Sequence, residues 1–411
     1  SSDRLRYFTE FLPPGLKCDP LTGIISGRPT TTSTSGYPLT IKATNLPGSD
    51  TETVTLNVVA MPPAALGTFA GVGERSALND NLGARFDLIT TAAGTCSGSI
   101  TLGGRKKQPF TKMLLQTYCN GDAVVSARIP GIKMADTTPL HAVLNINLAT
   151  GLAQLTLTHP NGTQQVIPAW RKATAVPAAT YTLFLIPGTV VGAPQGYGFS
   201  TLKVSASNAV TINGKLPDNS ALTGSTFIGA NGEILVFHLL HGNKGSFVGQ
   251  YQLSGDNLTG AQTWSKPLTT GTVYKDPFGP IGVAAFGGKY TPPTAGQLIM
   301  PANSELSFSD GGLPSFFTQP VTIANPSATG LTNTATPDTP LVNNTKISKF
   351  DVKTGVMSGS FMFGTRTAPF SARIVQTGPL TAAYGYFLLP TGVPNNTTSP
   401  KLSGQVLLGA P

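Results

Sequence analysis

The sequence predicts an all-β protein, a partial Ig-like sandwich followed by repeated antiparallel β-meander or β-barrel domains, on three observations. Charged residues are 11% of the 411, whereas Gly fills 47 positions and Pro 34, a composition that favours strands and turns over helices. Period-two alternation recurs, as in Thr51-Glu52-Thr53-Val54-Thr55-Leu56-Asn57-Val58-Val59, with one apolar face and one of Thr, Glu and Asn. Turn signals separate such runs at intervals of roughly 8–12 residues, and helix signals are nearly absent. An apolar fraction of 40% argues against disorder.

Residues 1–60 form the first unit. Leu12-Pro13-Pro14-Gly15-Leu16 precedes Thr22-Gly23-Ile24-Ile25-Ser26-Gly27-Arg28-Pro29, then Tyr37-Pro38-Leu39-Thr40-Ile41-Lys42-Ala43-Thr44-Asn45, then the closing strand quoted above. This order resembles the putative-Ig, cadherin-like repeat of bacterial surface proteins over residues 5–60. The resemblance implies a seven-stranded sandwich and a place at the cell surface. The family's opening strands precede the position of Leu12, and only about ten residues do so here. The unit is therefore expected to be N-terminally incomplete, its open edges needing a strand from further chain or from a neighbouring subunit.

Residues 61–66, with Met61-Pro62-Pro63-Ala64-Ala65, read as a stiff linker. Beyond it three segments begin alike, at Gly67-Thr68-Phe69, Ala179-Thr180-Tyr181 and Gly288-Lys289-Tyr290, and Trp170 and Trp264 close the first two. Internal duplication follows, with β-meander repeats at 67–175, 176–287 and 288–411. A finer match sets Phe86-Asp87-Leu88, Gly94 to Ile100 and Pro109-Phe110 against Phe350-Asp351-Val352, Gly355 to Phe361 and Pro369-Phe370. The unit is a β-hairpin with Gly at its turn. Meanders of this kind resemble those of large extracellular surface proteins of planctomycete and verrucomicrobial type.

Composition also narrows the function. A net charge of +9 is spread along the chain, its densest cluster being Arg105-Lys106-Lys107 in one predicted turn. Nucleic-acid binders show a basic face with stacking aromatics, so no nucleic acid is expected, and acidic polysaccharide is the anionic partner that weak attraction allows. No run of 18 apolar residues spans a membrane. No signal peptide opens the chain, which reads as a mature or clipped fragment. Of three cysteines, Cys96 and Cys119 share a unit and are a candidate disulfide, leaving Cys18 odd.

Gly94-Thr95-Cys96-Ser97-Gly98 has the form of a hydrolase nucleophile elbow, but an elbow needs a following helix and Ser99-Ile100-Thr101-Leu102 alternates as a strand. His238 and His241 fall on opposite faces of a strand and suit no shared metal. His141 and His159 flank apolar strands, where exposure or hydrogen bonding is expected. Asp87 and Asp351 are expected to cap turns. Leu78-Asn79-Asp80-Asn81 is similar to a cadherin calcium linker, yet with few carboxylates nearby it reads as a loop. The tyrosines and tryptophans recur at fixed repeat positions and are expected to anchor cores.

The expectation is a non-enzymatic extracellular structural or adhesive protein with no catalytic residue, cofactor or metal, whose partners are other surface proteins or copies of itself. A carbohydrate-binding accessory module is the alternative. An exposed row of rings would favour the alternative, and buried rings would favour the structural role.

Overall fold

Alternation of buried and exposed side chains sets the architecture of the computed structural model, which describes residues 4–116, 124–326, 331–378, 380–391 and 399–411. His141–Asn147 and Ala153–Thr158 each bury every second residue. They pair with Leu144 opposite Leu155 and Ile146 opposite Ala153, so one apolar stripe crosses both strands. Continued along the chain, this pattern gives three eight-stranded antiparallel sheets, over residues 67–171, 179–289 and 303–409.

Each sheet is an up-and-down meander whose first strand lies beside its last. Gly67–Gly73 pairs with Gln164–Arg171, Ala179–Pro187 with Phe278–Lys289, and Asn303–Asp310 with Lys401–Gly409. The break in each sheet lies in mid-chain instead. It separates Gln108–Leu114 from Val124–Ile129, Ala221–Phe227 from Glu233–Leu240, and Thr334–Pro337 from Lys346–Asp351. Gln116 N donates to Ser126 O at 2.7 Å across the first break, and an isolated Ile228–Ile234 bridge spans the second. The sheets are therefore barrel-like, curled by strand twist until their edges approach.

Side chains fill each interior. Phe69, Phe86, Ile100, Leu102 and Leu144 pack the first, and Trp264, Tyr251 and Phe247 the second. The third holds a cluster of rings in which Phe308 lies 4.6 Å from Phe361 and 5.4 Å from Phe370.

Several expectations change in detail. Gly288 and Lys289 end the last strand of the second sheet, and the third sheet starts at Asn303. Tyr181 lies opposite Lys289, because barrel closure sets first and last strands side by side. Trp170 stands on the eighth strand of its sheet and Trp264 on the seventh of the next. The three eight-stranded sheets repeat one another in topology, but Trp170 and Trp264 do not stand on equivalent strands of them. In the proline-rich segment expected as a linker, Pro63–Ala65 form one 3-10 turn, and Ala65 is buried in the first core.

Among the described residues, the Ig-like region has fewer strands than the sandwich expected of it. Arg6–Glu10, Ser33–Asn45 and Gly48–Val58 form a three-stranded sheet, and Leu16–Cys18 pairs with Ile25–Gly27 in a separate hairpin. One strand does precede Leu12, pairing Tyr7 with Ala43. Leu39 is buried in this region, while Phe8, Ile24 and Val54 are exposed.

Candidate functional site

The Ig-like region is fastened to the first sheet by one arginine. Arg28 leaves Ile25-Ser26-Gly27 through a positive-φ glycine, Gly27, and its guanidinium donates to Leu115 O and Ala93 O. The group lies against Gly94, where an added Cβ would meet Arg28 Nη2. Gly94 is therefore needed for its left-handed turn, at φ +66°, and for this close approach.

A second arginine joins the first and second sheets. Arg75 Nε and Nη2 donate to Thr263 Oγ1 at 2.8 Å, Thr263 O at 3.0 Å and Ser246 O at 2.9 Å. Its Nη1 reaches Asn81 O, Ser246 Oγ and Ser265 Oγ at 2.7–2.8 Å. These partners are carbonyls and hydroxyls, so dipoles alone hold the charge, and burial lowers the pKa to about 10. Beside it Ala70, Trp170, Phe227 and Leu235 form an apolar cluster between the sheets. Trp170 therefore anchors an interface, while Trp264 keeps the expected place in a core.

The second and third sheets meet through rings. Phe184 stacks on Tyr384 at 3.9 Å and 8°, with Tyr197 edge-on to Tyr384 at 5.7 Å. Phe199 stacks on Tyr386 at 6.0 Å, and Tyr386 Oη donates to Asn219 Oδ1 at 2.8 Å. Tyr290 Oη donates to Val352 O at 2.6 Å, and Ser403 N donates to Tyr274 Oη at 3.0 Å. Tyr181 and Tyr251 are in the core of the second sheet, whereas Tyr197, Tyr384 and Tyr386 lie at this contact. Rings on the outer faces of the sheets are used to join them.

Beside this contact lies a cleft of about 310 Å³, lined from the second sheet by Thr201 and Lys203 and from the third by Lys353, Thr354 and Arg373. Arg373 Nη1 donates to Thr354 O at 3.0 Å, and its guanidinium stands 5.5 Å from the Phe199 ring. Burial lowers the Arg373 pKa, against the opposing effects of Tyr290 and Asp351.

Asp218, Ser220 and His241 are brought together by two neighbouring turns, a grouping that sequence spacing did not reveal. Asp218 Oδ2 accepts the Ser220 hydroxyl at 2.8 Å, and His241 Nε2 lies 3.5 Å from both Asp218 Oδ2 and Ser220 Oγ. A catalytic relay needs the carboxylate on one imidazole nitrogen and the serine on the other. Here one nitrogen faces both and the serine proton points at the acid, so the cluster holds the turns together.

The motifs read from sequence are dispersed. Cys96 is 1% exposed in the strand Thr95–Leu102, and burial pushes its pKa up to about 11, which leaves no reactive thiolate near neutral pH. Cys119, its candidate disulfide partner, lies outside the described residues. His238 is buried, its Nδ1 facing Thr223 O at 3.2 Å, while His241 sits at the following turn with φ 51°. His159 Nδ1 accepts from Asn161 N at 3.1 Å, and His141 is exposed.

Asp351 caps its turn through Lys353 N, Thr354 N and the Thr354 hydroxyl, as expected. Asp87 does not. It lies within Ala84–Thr90 and pairs with Arg85 at 2.9 Å, because the second strand of a closed sheet has no turn at that register. Asn79, in the calcium-like segment, is buried and caps its own loop, accepting from Ser76 N and Gly83 N at 3.0 Å. Among the described residues, no three His, Cys, Asp or Glu side chains come together as a metal site. Arg105, Lys106 and Lys107 occupy a hairpin turn, with both lysines exposed.

No helix among the described residues is long and apolar enough to cross a membrane. No curated protein matches the chain. Residues 3–59 match the model of the putative Ig domain family, so this N-terminal segment is Ig-like.

Proposed function

We propose that the protein is an extracellular structural or adhesive component without enzymatic activity, whose three barrel-like sheets form one stiff support for the Ig-like segment. The observation that carries this reading is the locking of successive sheets by specific contacts: the five hydrogen bonds of Arg75 to Thr263, Ser246 and Ser265 and the Phe184–Tyr384 stack. Connections of this kind resist bending, whereas flexible linkers let domains move independently. The Ig-like match at residues 3–59 supports a surface setting. The likeness of the meanders to those of large planctomycete and verrucomicrobial surface proteins belongs to the same proposal.

The accessory-module reading is weaker because the rings that would stack on sugars are spent elsewhere. Trp264 and Tyr251 are wholly buried, and Tyr384 is covered by Phe184. Protease shaving of intact source cells followed by immunoblotting tests the proposal. Loss of the protein from intact cells is expected, and its protection until the cells are lysed would refute the surface assignment.

A further inference from the structure

We propose that the cleft between the second and third sheets is a binding site for an oxyanion, a carboxylate or a sulfate, either free or carried on an acidic sugar. Three cationic side chains, Lys203, Lys353 and Arg373, line one cavity, and no carboxylate lines it with them. The nearby acid is already committed. Asp351 Oδ1 accepts from Lys353 N at 3.0 Å and Thr354 N at 3.3 Å, and its Oδ2 accepts from the Thr354 hydroxyl at 2.6 Å. Asp256, on the next turn of the second sheet, pairs with Lys289 at 3.6 Å. Asp351 is thus held at its own turn and, although its charge also acts on Arg373, it does not line the cleft, so the three cations face the cavity with no carboxylate among its lining residues.

Two buried polar atoms of lining residues have no hydrogen-bond partner among the described residues. Arg373 Nε is without a hydrogen-bond partner among the described residues, although Nη1 of the same group is fixed on Thr354 O. The Thr201 hydroxyl also lacks a partner, in a lining residue that is only 9% exposed. Unpaired buried donors are costly, and a guanidinium with one edge held and another unsatisfied is suited to a planar or tetrahedral oxyanion. The Phe199 ring beneath Arg373 fixes the plane of the group before any ligand arrives.

The volume of about 310 Å³ lies at the lower end of small-molecule pockets, roughly 300–1,000 Å³. This suits a single small anion or one sugar ring bearing it, with Pro292 as an apolar wall. Lys203 and Lys353 are exposed and so can change without disturbing the sheet contact. The inference is independent of the cellular location argued above, since it concerns the purified chain.

Titration calorimetry of the full chain at low ionic strength, with sodium sulfate, glucuronate and neutral glucose as probes, tests the site. Sulfate and glucuronate are expected to bind and glucose not to bind. Glucuronate binding more tightly than sulfate identifies the acidic sugar as the source, and equal binding identifies the free oxyanion. The exposed pair K203Q/K353Q, with an unchanged circular dichroism spectrum, is expected to weaken both anions about tenfold or more, the scale of one lost charge-assisted hydrogen bond. T201V, which keeps every cation, is expected to weaken binding by a smaller factor. Failure of both anions to bind the wild-type chain, or binding unchanged in K203Q/K353Q, would overturn the proposal.

Discussion

His238 places a pH dependence on the second sheet. Burial drives its pKa from 6.5 to about 4, with Arg85 of the first sheet also opposing the charge. The unfolded chain takes up a proton near pH 6.5 and the folded chain does not until about pH 4. Stability is thus complete above pH 6.5 and is lost as the pH falls through that window, by about 3 kcal/mol from this residue alone. Urea unfolding at pH 7.0 and pH 4.5 is expected to show the loss, and His238→Gln to remove most of the difference. An equal pH effect in the variant would assign it to other groups. Arg75 carries the second prediction at this scale. Its replacement by Ala leaves acceptors without donors between two sheets and is expected to cost about 2–4 kcal/mol. Arg75→Lys should recover only part, since an ammonium presents three donors without the planar fork. Chemical denaturation checks both variants, and a loss below 0.5 kcal/mol, the range of ordinary surface substitutions, would show that the clamp is dispensable.

The strands divide into those paired on both sides and those beside the mid-chain break. Ala179–Pro187 is hydrogen-bonded to Gly198–Val204 and to Phe278–Lys289, whereas Ala221–Phe227 is ladder-paired on one side alone. Amide hydrogen exchange is expected to be slowest in Ala179–Pro187 and faster at Ala221–Phe227, because opening at the break exposes no further ladder. Uniform protection around the sheet would mean full closure. The same division explains what the sequence revealed. Strands such as His141–Asn147 were legible because alternation reports a single apolar face. Gly198–Val204 was harder to place, since its residues are buried on both faces, one against its own core and one against the third sheet. Closure of first strand on last was invisible, as it joins residues about a hundred positions apart, such as Tyr181 and Lys289. The cleft was hidden for the same reason: Lys203, Lys353 and Arg373 are isolated in sequence and meet only when two sheets pack. Trp170 and Tyr384 were recognisable as anchors, but period-two alternation does not tell a core face from a contact face.

At the scale of the molecule, the three barrel-like sheets pack on one another through the Arg75 contacts and the Phe184–Tyr384 stack. The contacts between sheets bury arginine and aromatic groups, and this couples the stability of each sheet to its neighbours. The Ig-like region differs, with few buried apolar residues among those described, Leu39 one of them, and the two bonds of Arg28 as a fastening. It is therefore expected to melt on its own and at lower temperature. Differential scanning calorimetry of the full chain tests the claim of a locked support most directly. One main endotherm is expected for the three eight-stranded sheets, with a van't Hoff enthalpy close to its calorimetric enthalpy. Three separable endotherms, each unmoved by Arg75→Ala, would show that the sheets fold and fail independently and would contradict it.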